Sequence, residues 1–279
     1  MKLFNKIAII GVGLIGGSIG LAARKKGVAG KVTGIFRRTS TMAKALRVKA
    51  VDDVSMDIAE GVKDADLVII ATPVSLIPVM ARLAAPFMKK GAILTDAGSV
   101  KGFVVKEVSK AIPKSVKFVG SHPMAGSEKT SVGSARADLF RGAFTILTKT
   151  AGTDIAALNK VKKFWSALGS KVVVMSPEEH DRIVALVSHL PHVAAQELCL
   201  AQDGKSLTYA AGGFRDTTRI ASSDPEIWLD IFRTNRLEVA KALDAFIGEL
   251  KAFRADLEAG DARKILARSK RAKSVRDRI

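Results

Sequence analysis

A chain of 279 residues, 48% of them apolar, with 45 Lys+Arg against 27 Asp+Glu, carries a formal charge of +18. That length holds one large domain or two ordinary ones, and the apolar content excludes a disordered polyelectrolyte. The single cysteine, Cys199, excludes a disulfide framework and a cysteine-based zinc site, and makes a reducing, cytoplasmic setting the default.

The charge is unevenly placed. Residues 22–51 contain nine basic and no acidic side chains, and residues 261–279 contain eight basic and two acidic, so these stretches hold +15 of the +18. Aromatic residues make up 5% and are not interleaved with the basic ones, which argues against a stacking platform for single strands. No nucleic-acid partner is expected, and the basic C-terminal stretch reads as a solvated face or tail.

The uncharged stretch 7–23, preceded by Lys2 and Lys6, has the outline of a signal peptide or membrane anchor. It falls short of the ~20 residues a helix needs to cross a bilayer, and it contains five glycines. No export and no membrane association are expected, and no other stretch reads as approaching spanning length.

In chain order, short apolar runs at 6–10, 31–36, 67–72, 93–95, 117–121 and 144–148, with a late one at 171–175, alternate with helical patterns such as 14–26 and 76–88. Such alternation predicts βαβ units and a parallel sheet with helices on both faces. After Ser176 the strand signals stop. Residues 177–203 read as helix interrupted at Pro191, 225–260 as one or two long amphipathic helices, and a basic helix follows from Asp261. The expected organisation is an α/β domain over 1–176 and an all-α domain over 177–279.

The first run leads straight into Gly11-Val-Gly13-Leu14-Ile15-Gly16 and then a helical pattern. GxGxxG alone is a weak signal, but between a strand and a helix it is the fingerprint of a Rossmann-type dinucleotide-binding domain. Gly11 makes the tight turn, Gly13 lets the backbone approach a pyrophosphate, and Gly16 lets the helix pack on the strand. The pyrophosphate then sits on the helix N-terminus, where free N–H groups favour an anion. Thr72 and Pro73, after the third run, are counted with the cofactor-binding residues. An NAD site places an acid about 20 residues on, at the end of the second strand. Here Phe36 is followed by Arg37, Arg38, Thr39 and Ser40, which suit a 2′-phosphate. NADP is the expected cofactor, with NAD possible if Arg37 merely stacks on the adenine.

Four further motifs carry the chemistry: Asp96-Ala-Gly-Ser99-Val-Lys101; Gly120-Ser-His122-Pro-Met-Ala-Gly126-Ser-Glu128-Lys129; Ser188-His189-Leu-Pro-His192; and Gly212-Gly-Phe-Arg215-Asp-Thr-Thr-Arg219 running on to Asp224 and Trp228. At these residues, and over essentially its whole length, the chain resembles the prephenate and arogenate dehydrogenases of tyrosine biosynthesis. The resemblance implies a dinucleotide-binding domain followed by a helical dimerisation domain that builds a homodimer. It implies oxidative decarboxylation of prephenate to 4-hydroxyphenylpyruvate with hydride transfer to NAD(P), or alternatively conversion of arogenate to tyrosine. Another β-hydroxyacid dehydrogenase of similar architecture is a more distant reading. His122 resembles the catalytic histidine, and His is the side chain best poised to take a hydroxyl proton near neutral pH. Ser99 resembles the serine that hydrogen-bonds the same hydroxyl; a second reading has it capping a helix that begins at Val100. Arg219 resembles the arginine that grips a substrate carboxylate with two parallel bonds; a structural pairing with Asp216 or Asp224 is its alternative. His192, Trp228 and Ser188 are placed in the substrate pocket, and Gly212 with Gly213 is expected to let a loop pass close to the ligand.

The other histidines read as structural. His180, beside Glu178 and Glu179, is helix-start chemistry with no direct catalytic part expected, and His189 reads as a hydrogen-bonded core residue. No metal is called for. His192 offers no acidic partner for an ammonium group, which favours prephenate over arogenate. Any tyrosine feedback is expected to act at the active site, because the sequence shows no regulatory domain after the helices.

Overall fold

The computed structural model describes residues 2–126 and 131–278. Its first half is built on six parallel strands. β1 (Phe4–Ile10), β2 (Ala29–Ile35), β3 (Asp53–Ser55), β4 (Leu67–Ile70), β5 (Ile93–Asp96) and β6 (Lys117–Val119) lie in the order β3-β2-β1-β4-β5-β6. The crossovers run through α1 (Leu14–Lys25), α2 (Thr39–Arg47), α3 (Ile58–Val62), α4 (Ile77–Ala84) and α5 (Gly102–Ala111). β4 and β5 are buried at every residue, which is why they read as unbroken apolar runs rather than alternating ones. Because neighbouring side chains of a strand point to opposite faces, Ile7 and Ile9 join the core beneath α1, while Ala8 and Ile10 join the core beneath α4 and α5.

The strand register fixes where a ligand can sit. Ile10 of β1 is level with Ile70 of β4, and Ile70 is level with Asp96 of β5. The loops that follow these strands therefore open side by side, at the point where the sheet order reverses between β1 and β4. Open parallel sheets bind ligands at such a point.

The last strand-like runs depart from the expected single sheet. The run at 117–121 splits at Gly120 into β6 and β7 (Ser121–Pro123). A Cβ at Gly120 would lie 2.4 Å from Thr148 Oγ1, so the turn-off has no room for a larger residue. β7 pairs antiparallel with β8 (Phe144–Thr148), and β8 pairs parallel with β9 (Lys171–Met175) across α6 (Ile155–Ala167). These three form a separate mixed sheet. Phe164 and Trp165 of α6 close against Phe4 and Phe140 with edge-to-face rings and join the two sheets.

The second half is helical. α7 (Pro177–Val184), capped by Ser176 through Glu179 N–H, runs through a π-helical turn (Ala185–His189) into α8 (Leu190–Leu200). The expected break at Pro191 does not occur. Proline lacks an N–H and crowds the carbonyl four residues back, and the wider π turn immediately before it absorbs that mismatch. The result is a 24-residue helix, Pro177–Leu200, with an 18-residue window of mean hydropathy 1.4, long and apolar enough to cross a membrane by length and composition alone. That corrects the expectation that no stretch reaches such a length. α9 (Gly212–Thr218), α10 (Pro225–Thr234), α11 (Arg236–Glu258) and α12 (Ala262–Arg276) follow.

α10 docks Trp228 and Ile231 onto the core beneath α4 and α5, and its Asp230 accepts the Ser75 N–H at 2.8 Å. The basic C-terminal stretch is partly paired. Arg268 of α12 reaches Glu249 and Asp256 of α11, each at 2.7 Å, and Arg271 reaches Glu249 at 3.0 Å.

Candidate active site

A cavity of about 670 Å³ opens at the ends of β1, β4 and β5, and the helical half forms its far wall. Its floor is the turn after β1, with Gly13, Leu14 and Ile15. Thr72 and Pro73 after β4, and Ser99 after β5, stand beside it. β7 brings His122 to the edge. The helical half supplies Ser188 and His192 from one side and Arg219 and Trp228 from the other. Residues spread over more than two hundred positions of sequence thus converge on one space.

The glycine turn meets the demands of a dinucleotide. Gly11 has φ +90°, and a Cβ there would lie 2.7 Å from the Ala71 carbonyl oxygen. A Cβ at Gly16 would lie 2.1 Å from the Gly11 carbonyl oxygen. Both glycines shape the turn from behind and do not line the cavity. α1 begins on the cavity wall with no side-chain cap and no acid in its first turn, which leaves its first N–H groups for an anion. Arg37, Arg38, Thr39 and Ser40 are exposed, at the end of β2 and the start of α2, away from the cavity wall.

His122 is nearly buried, at 9% exposure. Its Nδ1 lies 2.8 Å from Nε2 of His180, and His180 Nδ1 lies 2.7 Å from Oδ1 of Asp181. Asp181 also accepts the N–H groups of Lys101 at 2.7 Å and Gly102 at 2.8 Å, at the start of α5. With the carboxylate as acceptor, the network assigns the tautomers. His180 donates from Nδ1 to Asp181, its Nε2 accepts from His122 Nδ1–H, and His122 Nε2 is left with the lone pair. Burial above all, then the neighbouring His180, Lys101 and His189, holds the His122 imidazole well below its usual range, so it is neutral near pH 7.

Sequence reasoning missed His180 and Asp181 as partners of His122. The signal available was the adjacent His180-Asp181 pair; what it touches, 58 residues away, is set by the fold. Ser99 does not cap a helix at Val100. α5 begins at Gly102, and its leading N–H groups are taken by Asp181 from across the domain junction, so Ser99 is left on the cavity wall. Gly212 opens α9 as an exposed residue off the cavity wall, so a helix stands where a loop was expected. Ser127, Glu128 and Lys129 of the His122 motif lie outside the described residues.

The substrate-side residues hold one another. Trp228 stacks on His192 with ring centroids 3.3 Å apart, and His189 meets Trp228 edge-on at 6.0 Å. His192 lies between the Ser188 carbonyl at 3.3 Å and the Ser223 hydroxyl at 3.4 Å. His189 is fully buried, with Nδ1 3.2 Å from the Asn235 amide, as expected for a core residue. Asp224 and Asp230 also line the cavity, two acids that the sequence reading had not placed there.

Comparison with known proteins agrees with this geometry. The family model for the nucleotide-binding domain of prephenate dehydrogenase matches residues 19–174, and that for the prephenate dehydrogenase dimerization domain matches residues 176–270. The chain is 39% identical to the prephenate dehydrogenase of Bacillus subtilis (strain 168) over 283 residues, which is 99% of this chain and 76% of the relative. Prephenate dehydrogenase from Aquifex aeolicus, in complex with hydroxyphenyl propionate and NAD+, superposes with a TM-score of 0.91 at 33% identity, covering 98% of each chain. Synechocystis arogenate dehydrogenase superposes with a TM-score of 0.84 at 28% identity, covering 98% of this chain and 99% of the other. The two family models together match residues 19–174 and 176–270, most of the chain, and the chain belongs to the prephenate dehydrogenase family.

Proposed function

We propose that the protein oxidatively decarboxylates prephenate to 4-hydroxyphenylpyruvate, with NADP as the preferred hydride acceptor. The observation that carries this reading is His122, tied at Nδ1 to His180 and lining the same cavity as the glycine turn, Ser99 and Arg219. A bound nicotinamide dinucleotide supplies the acceptor for the C4 hydride. Ser99 and His122 hold the C4 hydroxyl, and His122 Nε2 takes its proton. The imidazolium that forms donates from Nδ1 to His180, which is backed by Asp181. As C4 becomes a carbonyl, the ring carboxylate leaves as CO2 and its bonding electrons complete the aromatic ring. The proton returns to the ring oxygen, so the phenol forms without net proton loss. Arg219 grips a substrate carboxylate, and the stacked Trp228 and His192 pack on the substrate.

The NADP preference rests on the end of β2, where no acid stands and Arg37, Arg38 and the N-terminus of α2 are exposed together. The division at 176/177 and a homodimer through the helical half are part of the same reading. The matched dimerization-domain model and the apolar side chains exposed on α8 and α11 support them. A second reading, arogenate as substrate, is favoured by Asp224 and Asp230 on the cavity wall, since a carboxylate is the partner an ammonium group needs. Steady-state assays of both substrates crossed with NAD and NADP test the proposal. Turnover of prephenate with matching CO2 release, faster with NADP, supports it. Turnover of arogenate alone transfers the activity to the second reading, and no turnover of either removes both.

A further inference from the structure

Lys101 and Asp96 are completely buried and ion-paired below the cavity, and the mechanism above uses neither. A buried pair is weak evidence for stability, because desolvating two charges offsets their attraction. What distinguishes this pair is where its other hydrogen bonds go. Lys101 Nζ donates to the Ser121 carbonyl at 2.9 Å, and Asp96 Oδ1 accepts the Ser121 N–H at 3.1 Å. Both backbone groups of the residue before His122 are therefore held by one ion pair. Asp96 Oδ2 also accepts the Gly98 N–H at 2.9 Å, immediately before Ser99. The backbone N–H of Lys101 holds Asp181, which orients His180.

We propose that Lys101, together with Asp96, is a positioning residue for the reaction: the pair clamps the Ser99 loop to the strand that carries His122 and sets where the base stands. This rests on the reading of His122 as the base. Among the described residues, the charged and titratable groups around His122 are Lys101 before α5, Asp96 at the end of β5, His180 and Asp181 of α7 and His189 of the π turn, with His192, Arg219, Asp224 and Asp230 lining the same cavity. The Lys101 ammonium disfavours a proton on His122, so losing the pair both loosens the base and makes it easier to protonate.

Lys101→Met alone would leave a buried carboxylate without its partner. The deciding variant is therefore Asp96→Asn with Lys101→Met, in which the amide oxygen still accepts from Gly98 or Ser121. Melting temperature and NADP titration establish that the variant folds and binds cofactor. The expected result is a kcat at least ~10-fold lower, a substrate KM changed less than ~3-fold, and an acid limb of kcat/KM moved to higher pH, since a general base contributes ~10²–10⁴-fold when well placed. Lys101→Arg keeps the charge but not the geometry, and should lower kcat with the acid limb unmoved. Wild-type kcat and acid limb in the double variant would overturn the proposal. His122→Asn is measured alongside: if it too turns over like wild type, the base assignment itself has failed, whereas an inactive His122→Asn beside an unaffected double variant removes only the positioning role.

Discussion

The two halves of the molecule bury themselves differently. The nucleotide-binding half packs both faces of its sheet, with Ile7, Ile9, Leu67 and Ile69 on one side and Ala8, Ile10, Val68 and Ile70 on the other, all at 3% exposure or less. Among the described residues, the cluster confined to the helical half is Ala185, Val239 and Ala242, flanked by the partly buried Leu190, Val193 and Phe232, while Leu200, Leu250 and Leu257 are each more than half exposed. The first half carries the glycine turn and His122. The other brings Ser188, His192, Arg219 and Trp228 to the cavity and exposes apolar side chains on α8 and α11, the surface through which the proposed homodimer would form.

That contrast can be broken most directly at α11. Leu250 and Phe253 lie three residues apart on one helix face, 51% and 39% exposed. Replacing both with Glu should weaken self-association at least ~100-fold, from the loss of two buried apolar side chains worth about 1.5–3 kcal/mol each. Sedimentation at several concentrations reads this, with cofactor affinity unchanged; an unaltered mass would place the dimer contact elsewhere.

Arg219→Gln tests whether the helical half supplies substrate grip. A charge-assisted pair is worth about 1.5–3 kcal/mol, so substrate KM should rise at least ~10-fold with cofactor affinity intact. An unchanged KM would make Arg219 structural. In the other half, Arg37→Ala with Arg38→Ala should lower kcat/KM for NADP relative to NAD by about tenfold, as for one such bond lost. An equal effect on both cofactors would assign these arginines to the adenine instead. The mildest prediction is one of position. Burial holds His122 well below the ordinary imidazole value of 6.5, so kcat/KM should be full above that pH and fall only as pH drops through the lowered value. An acid limb above pH 6.5 would contradict the assigned environment.

The parallel sheet was legible because buried strands leave unbroken apolar runs, and the glycine turn because only glycine fits its contacts. β3 was missed: Asp53-Val-Ser55 contains one apolar residue and no period to read. The second sheet was missed because a run of apolar residues states that a strand exists but not which strand it pairs with. The cavity residues were named largely from their motifs, yet the network behind His122 was not. Asp96, Lys101, His180 and Asp181 are charged or titratable residues in a buried place, and sequence patterns assign such side chains to the surface. What puts them inside is mutual satisfaction of their hydrogen bonds, which only the fold reveals.

The central claim is that His122 takes the proton of the reacting hydroxyl. His122→Asn, assayed with prephenate at saturating cofactor and titrated separately for cofactor binding, tests it most directly. The account predicts a fall in kcat of at least ~10²-fold with cofactor affinity unchanged. Turnover near the wild-type rate would contradict it.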